Sequence, residues 1–304
     1  MRLSLTIHPL LLLGLCTAVG QGATIFDNFN DGNDTSPLWT FIDVTDQGGG
    51  GIGSRGFGPN NLRYQLSGPA TASVRTDFTI VDGEVRSEIS NWNPSVSVGS
   101  SVGILARFDP NTLSGYFLSI DADGSPNLNL VKLVNGQPAG GSEGLPKVYN
   151  ANGTYILQLL VAGAKITGRI YEKGSPANTL VDEVAWTDPS PFTAGVTGCL
   201  VANDEFPESF TATTALFDNF LATDGTVARP TLSNPCIVEN AFEVNFGTEP
   251  GRPYLLEYKN SITDLNWSSL TLFAPESTAG TKTATDPLTG GNRFFQIRVV
   301  DDSP

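Results

Sequence analysis

Six consecutive residues, Glu84-Val85-Arg86-Ser87-Glu88-Ile89, alternate charged with apolar or small side chains. In an extended strand successive side chains point to opposite faces. Glu84, Arg86, Glu88 and, four residues further on, Trp92 would then share one face while Val85 and Ile89 enter a core. Two carboxylates, a guanidinium and an indole on one face offer two kinds of chemistry. One is glycosidic hydrolysis by paired carboxyls. The other is sugar binding, in which an aromatic ring covers the C–H face and polar groups fix the orientation. Spacing disfavours the first for this pair, because Glu84 and Glu88 stand ~13 Å apart at ~3.3 Å per residue, beyond either hydrolytic geometry. Arg107, with Asp109 following at strand spacing, and Tyr116 at the start of the next apolar run extend the candidate set. The expected ligand-binding residues are therefore Arg86, Glu88, Trp92, Arg107 and Tyr116, with ordinary half-buried packing as the alternative role for the aromatic ones.

Histidine is nearly absent from the 304 residues, and its one copy, His8, lies in a segment expected to be removed. Without imidazole, triad hydrolases and most catalytic zinc sites are unavailable, so acid–base work falls to Asp, Glu, Tyr, Lys or Arg and any metal to oxygen ligands. The 31 acidic residues outnumber 17 Lys plus Arg, for a formal charge of −14. That sign repels phosphate backbones and anionic bilayers, so neither nucleic acid nor membrane insertion is expected.

Residues 1–23 open with Arg2, continue through an apolar block from Leu10 to Leu15 and end on small residues around Ala18, Gly20, Gly22 and Ala23. This is the pattern of a secretory signal peptide, and the protein is expected outside the cell or at its surface. Leu15 before Cys16 is too bulky for lipid attachment. With Cys16 removed, Cys199 and Cys236 remain as a candidate disulfide in an oxidising compartment, the alternative being two separate thiols.

These side chains need elements to hold them, and the chain between 24 and 224 supplies short alternating or wholly apolar runs separated by Gly, Pro, Asn and Asp. Strands are predicted at 24–29, 39–44, 62–66, 73–80, 84–92, 102–108, 115–120, 128–134, 154–161, 165–171, 180–186, 196–201 and 215–222. Turns fall at Val81-Asp82-Gly83, Ala122-Asp123-Gly124, Asn135-Gly136 and Ala162-Gly163. So many strands in two hundred residues imply an all-β, two-sheet antiparallel sandwich. Phe26-Asp27-Asn28-Phe29 and Phe217-Asp218-Asn219-Phe220 repeat each other, which is expected if the first and last strands lie side by side. Gly51-Ile52-Gly53-Ser54-Arg55-Gly56 fits a dinucleotide-binding string by letter, but no helix follows it, so it reads as a flexible glycine-rich loop. Residues 225–235 read as a linker, and 236–304 as a second, smaller β-sandwich with strands at 241–246, 254–259, 268–273, 281–285 and 294–300.

The opening Phe-Asp-Asn-Phe-Asn, then Gly103-Ile104-Leu105-Ala106-Arg107-Phe108, Gly115-Tyr116-Phe117-Leu118, Gly153-Thr154-Tyr155, Gly195-Val196-Thr197-Gly198 and the closing Phe-Asp-Asn-Phe resemble laminin-G-like, concanavalin A-like domains of secreted bacterial proteins. The resemblance implies a jelly roll over residues 24–224, a fold that hosts lectins, adhesion modules, hydrolases and lyases alike. Tyr254-x-x-Glu257-Tyr258, Asp264-x-x-Trp267 and Arg293-Phe294-Phe295-Gln296-Ile297-Arg298 look like fibronectin-type-III-like C-terminal modules, which implies a spacer or anchor. Asp27, Asp31, Asn33 and Asp34 crowd one oxygen-rich segment, and the last strand could bring Asp218 beside it. Asp27, Asp31 and Asp218 are therefore the expected ligands of a structural Ca²⁺, which such jelly rolls often hold near their termini; solvated turn carboxylates are the alternative.

Arg86-Ser87-Glu88-Ile89 is similar to a segment of jelly-roll alginate lyases, but that family's histidine-bearing string is missing, and so is the Glu-x-Asp-x-x-Glu string of hydrolases on this fold. The expected function is a secreted, non-catalytic protein whose jelly roll binds extracellular polysaccharide. A polysaccharide lyase or glycoside hydrolase, and a protein-binding adhesion module, are the alternatives.

Overall fold

The structure is a computed structural model that describes residues 23–43, 53–58, 62–92, 99–121, 126–150, 153–174, 178–203, 212–225, 230–287 and 293–300. The expected leader up to residue 22 and the Ala122-Asp123-Gly124 turn lie outside the described residues, and no described residue is helical.

The N-terminal part contributes β1 (Thr24–Asp27), β2 (Thr40–Asp43), β3 (Ser54–Phe57), β4 (Tyr64–Gly68), β5 (Ala70–Ile80), β6 (Gly83–Ser90), β7 (Ser100–Asp109) and β8 (Ser114–Asp121). It continues with β9 (Asn127–Val134), β10 (Gln137–Glu143), β11 (Tyr155–Ala162), β12 (Lys165–Glu172), β13 (Thr179–Thr187), β14 (Gly195–Asn203) and β15 (Thr213–Asp224). They form two antiparallel sheets of a jelly-roll sandwich. The first runs β13-β12-β11-β6-β15-β4-β3, with β1 also on β15, and the second runs β10-β9-β8-β7-β14-β5-β2.

Alternation explains the layering. Val85 and Ile89 of β6, Leu157 and Leu159 of β11, Ile104 and Ala106 of β7, and Leu118 and Ile120 of β8 meet between the sheets as one buried cluster. Two strands of this sandwich escaped the sequence pattern. β3 lies in the glycine-rich run read as a loop, and β10 is an exposed edge strand without apolar periodicity.

The first and last strands of this sandwich do lie together: β1 pairs antiparallel with β15, Asp27 facing Phe220 and Phe26 facing Leu221. The two aspartates of the repeated motif diverge nonetheless. Asp27 turns inward, where its carboxylate accepts the Trp39 indole N–H at 2.8 Å and the Phe29 amide at 2.8 Å. Asp218 stays on the outer face, because Asn219 at φ 48° interrupts the ladder between Asp218 and Leu221 and resets the alternation after it.

Beyond residue 230 two three-stranded sheets follow. β16 (Leu232–Val238), β17 (Ala241–Thr248) and β20 (Gly280–Pro287) form one; β19 (Ser268–Phe273), β18 (Tyr254–Lys259) and β21 (Phe294–Val299) form the other. Val244, Phe246, Tyr254, Leu256, Ala284 and Val299 make a separate small core. β16 begins inside the stretch expected as a linker. Cys199 is buried in β14 and Cys236 is exposed on β16; both are free thiols, so the candidate disulfide is not formed.

Candidate functional site

The outer face of the first sheet carries Glu84, Arg86 and Glu88 as the alternation requires, yet it is not open. The C-terminal module sits on it. Gly251, at φ 68°, lies so close to Phe26 of β1 that a Cβ there would fall 2.4 Å from the ring. Beside it, fully buried Arg252 donates from Nη2 to Oε2 of Glu84 at 2.5 Å and from Nε to Glu249 at 3.0 Å.

Glu84 is held by more than this contact. Gln158 on β11 donates to its other oxygen at 2.9 Å, and the Tyr171 hydroxyl on β12 donates to Gln158 at 3.1 Å. Arg86 Nε lies 3.6 Å from Glu84. Burial works against the ionised carboxylate, but the charges of Arg252 and Arg86 and the hydrogen bonds outweigh it and hold Glu84 below the usual carboxylate range. Both oxygens being satisfied, the buried ion pair meets the condition under which such pairs persist.

Next to this contact a cleft of about 230 Å³ opens between sheet and module. Its polar groups come from the sandwich: Arg86 and Glu88 of β6, Lys173 just after β12, Asn178, and Asn219 of the β15 bulge. Its apolar surface comes from both sides: Ile156 and Leu221 below, and Pro253, Leu272, Pro275 and Val300 of the module opposite. Lys173 Nζ donates to both oxygens of Glu88, at 2.8 and 2.7 Å. Asp218, which faces Glu88 across the β6–β15 ladder, is pushed up to about 6 by burial and by the Glu88 charge, against the weaker pull of the Asn219 amide hydrogen bond, Arg63 and Lys173. Arg63 Nε lies 3.8 Å from it.

The five residues expected to bind ligand are therefore not one site. Arg86 and Glu88 line the cleft. Trp92 does not join them. Asn91 adopts φ 52°, which turns the chain, and the Trp92 ring lies in the core edge-on to Tyr149 and Tyr155. Arg107 and Tyr116 belong to the second sheet. The Arg107 guanidinium closes one end of the sandwich, donating to the carbonyls of Val81, Gly163 and Phe192 and to Asp82. Tyr116 is a core residue whose hydroxyl donates to Asp188 at 2.7 Å and accepts from the Phe192 amide; burial, then Asp188, push it up to about 12.

The expected calcium ligands do not converge either. Asp27 is spent on Trp39 and Phe29, Asp31 accepts from the Asn33 amide in an exposed turn, and Asp218 faces outward beside Glu88. Among the described residues no three His, Cys, Asp or Glu side chains form a group suited to a metal.

Lys173, Asn178 and Asn219 were not singled out from sequence. Asn219 repeats Asn28 within the duplicated Phe-Asp-Asn-Phe motif, a usable signal. Lys173, directly after β12, and Asn178 lie outside the strand periodicity and carry no alternation signal.

No protein-family model and no curated protein matches the chain. Several solved structures are similar. The carbohydrate-binding module CBM66 from Bacillus subtilis is 21% identical, covering 60% of this chain and 92% of that one, with a TM-score of 0.42. The Bacillus licheniformis β-glucanase is 17% identical over 67% of this chain and 99% of its own, with a TM-score of 0.45. A native glycosidic hydrolase is 12% identical over 68% and 98%, with a TM-score of 0.47.

Proposed function

We propose that the protein binds an extracellular glycan in the cleft between the first sheet and the C-terminal module, without transforming it. The observation that carries this reading is the division of the lining. One side offers an ammonium, a guanidinium, a carboxylate and two amides to hydroxyl groups, and the other offers proline and aliphatic surface to the C–H face of a sugar ring. The signal-like N-terminus and the acidic, nearly histidine-free composition fit an exported protein without the usual proton shuttle.

The test is retention on insoluble cellulose, xylan, β-glucan and chitin, with reducing ends measured in the same tubes. Retention without product supports the reading, and it should weaken at least tenfold in Asn219→Ala and Lys173→Ala. Equal retention in those variants would place binding elsewhere.

A second reading, glycoside hydrolysis, is favoured by one observation: Glu88 and Asp218 are direct cross-strand neighbours on one face, at a Cβ separation of ~4.5–5.5 Å, and Asp218 is raised to about 6. A carboxyl with a raised pKa beside a second carboxyl on the same face is the arrangement from which a glycosidase draws its acid. Against it, Lys173 already occupies both oxygens of Glu88. New reducing ends that vanish in both Glu88→Gln and Asp218→Asn would establish the second reading.

A further inference from the structure

We infer that Arg252 is the positioning residue of the cleft: through its buried ion pair with Glu84 it fixes the C-terminal module as the cleft's second wall, so that docking of the module and occupancy of the cleft are coupled. The glycan as occupant rests on the reading above; the latch itself does not.

Four observations converge on this arrangement. The module supplies Gly251, Pro253, Leu272, Pro275 and Val300 to the lining, so the cleft does not exist without it. Arg252 lies directly between two of these lining residues in the chain, and its side chain is the module's fully buried cation on the sandwich. Leu221, on an outer sheet face that would otherwise meet solvent, is 1% exposed. On the sandwich side Glu84 is braced by Gln158 and Tyr171 from two neighbouring strands, so the acceptor that Arg252 meets is held in place before the module arrives. A charge buried at such a contact tolerates no half-open state with the pair broken and water excluded. The contact is therefore either made or released into solvent, which gives the module two discrete positions.

The coupling follows from linkage. A ligand that touches both walls binds only the docked form, so its apparent dissociation constant is the intrinsic one divided by the docked fraction. By reciprocity, the ligand must also favour docking. On this account the module is a working part of the site, a different role from the spacer or anchor expected for it.

A thiol placed on the floor of the cleft reads docking without any ligand. In the full chain carrying Cys16→Ser, Cys236→Ser and Leu221→Cys, core-buried Cys199 stays silent and the new thiol reports access to an aromatic disulfide reagent. With Arg252 present the reaction should be slow. Arg252→Met should speed it at least tenfold while the thermal unfolding of the main sandwich is retained. Glu84→Gln, which leaves Arg252 its Glu249 partner and the module intact, should do the same and serves where Arg252→Met does not fold. A thiol equally protected in the folded variants overturns the latch.

The second arm measures retention on the same four polysaccharides. Opened variants that lose at least tenfold in affinity support the coupling, and opened variants that bind as tightly as the parent overturn it. A parent protein that none of the four retains defeats the glycan reading alone, and the thiol rates still decide the latch.

Discussion

Asp218 on β15 stands directly across from Glu88 on β6, with Lys173 paired to Glu88 and Arg63 beside Asp218. Burial and the Glu88 charge raise Asp218 to about 6, whereas in an unfolded chain it titrates near 3.8. Between those values the folded state holds a proton that the unfolded state has released. Stability therefore falls as pH rises from about 4 to about 6 and levels off above. Asp218→Asn should flatten that window and, at pH 7, stabilise the fold by up to about 2–3 kcal/mol. Denaturant unfolding at pH 4, 5, 6 and 7 checks this. An unchanged slope in the variant would mean that Asp218 titrates normally.

Arg107 lies outside the cleft, so its loss separates stability from binding. Its guanidinium serves three backbone carbonyls and Asp82 at the end of the sandwich, drawing together the β5–β6 turn, the β11–β12 turn and the segment at Phe192. Arg107→Ala strands these acceptors and should cost about 3 kcal/mol or more in unfolding free energy. Retention of glycan by the protein that remains folded should equal that of the parent, and a selective loss of retention at full stability would return Arg107 to the site.

How much of this was legible in the sequence depends on where alternation holds. Glu84, Arg86 and Glu88 share the one face that the strand period gives them, because nothing between them breaks it. Trp92 belongs to the same face by strand count and yet lies inward, because a left-handed residue at Asn91 changes the phase. Asp218 and Asp27 looked equivalent in the repeated motif and ended on opposite faces for a similar local reason, the bulge at Asn219. Positive φ at a residue other than glycine leaves little trace in a sequence beyond an enrichment of asparagine. The cleft's second wall was illegible for a different cause. Arg252 and Glu84 are 168 residues apart, and no periodicity within either segment records their meeting.

Asp27 illustrates the same limit with a measurable consequence. As a calcium ligand it would be exchangeable with solvent ions; as the acceptor for Trp39 it is a structural carboxylate, and its burial raises it above the usual range. Asp27→Leu leaves the indole N–H and the Phe29 amide without their acceptor and should destabilise the sandwich by about 2–4 kcal/mol, with a changed near-ultraviolet spectrum from Trp39. Asp27→Asn keeps a carbonyl acceptor and should cost less. A calcium-dependent rise in unfolding midpoint that Asp27→Asn abolishes would restore the metal role.

Gly251 provides a steric route to the same opening as the loss of Arg252. Its φ of 68° is favourable for glycine and costs other residues about 1–2 kcal/mol, and a Cβ at this position would lie 2.4 Å from Cδ2 and 2.7 Å from Cε2 of Phe26. The ring is seated on β1 beside Leu221 and the Gly251 backbone carries Arg252, so relieving the clash displaces the contact between module and sheet. Gly251→Ala should therefore expose the Leu221→Cys thiol as Arg252→Met does, although no charge has been removed. Adding Phe26→Ala relieves the clash and leaves the backbone strain, so protection should return in part. Strong protection in the single variant would show that the module approaches the sheet less closely than 2.4 Å requires. Full exposure persisting in the double variant would assign the effect to backbone strain rather than to the ring.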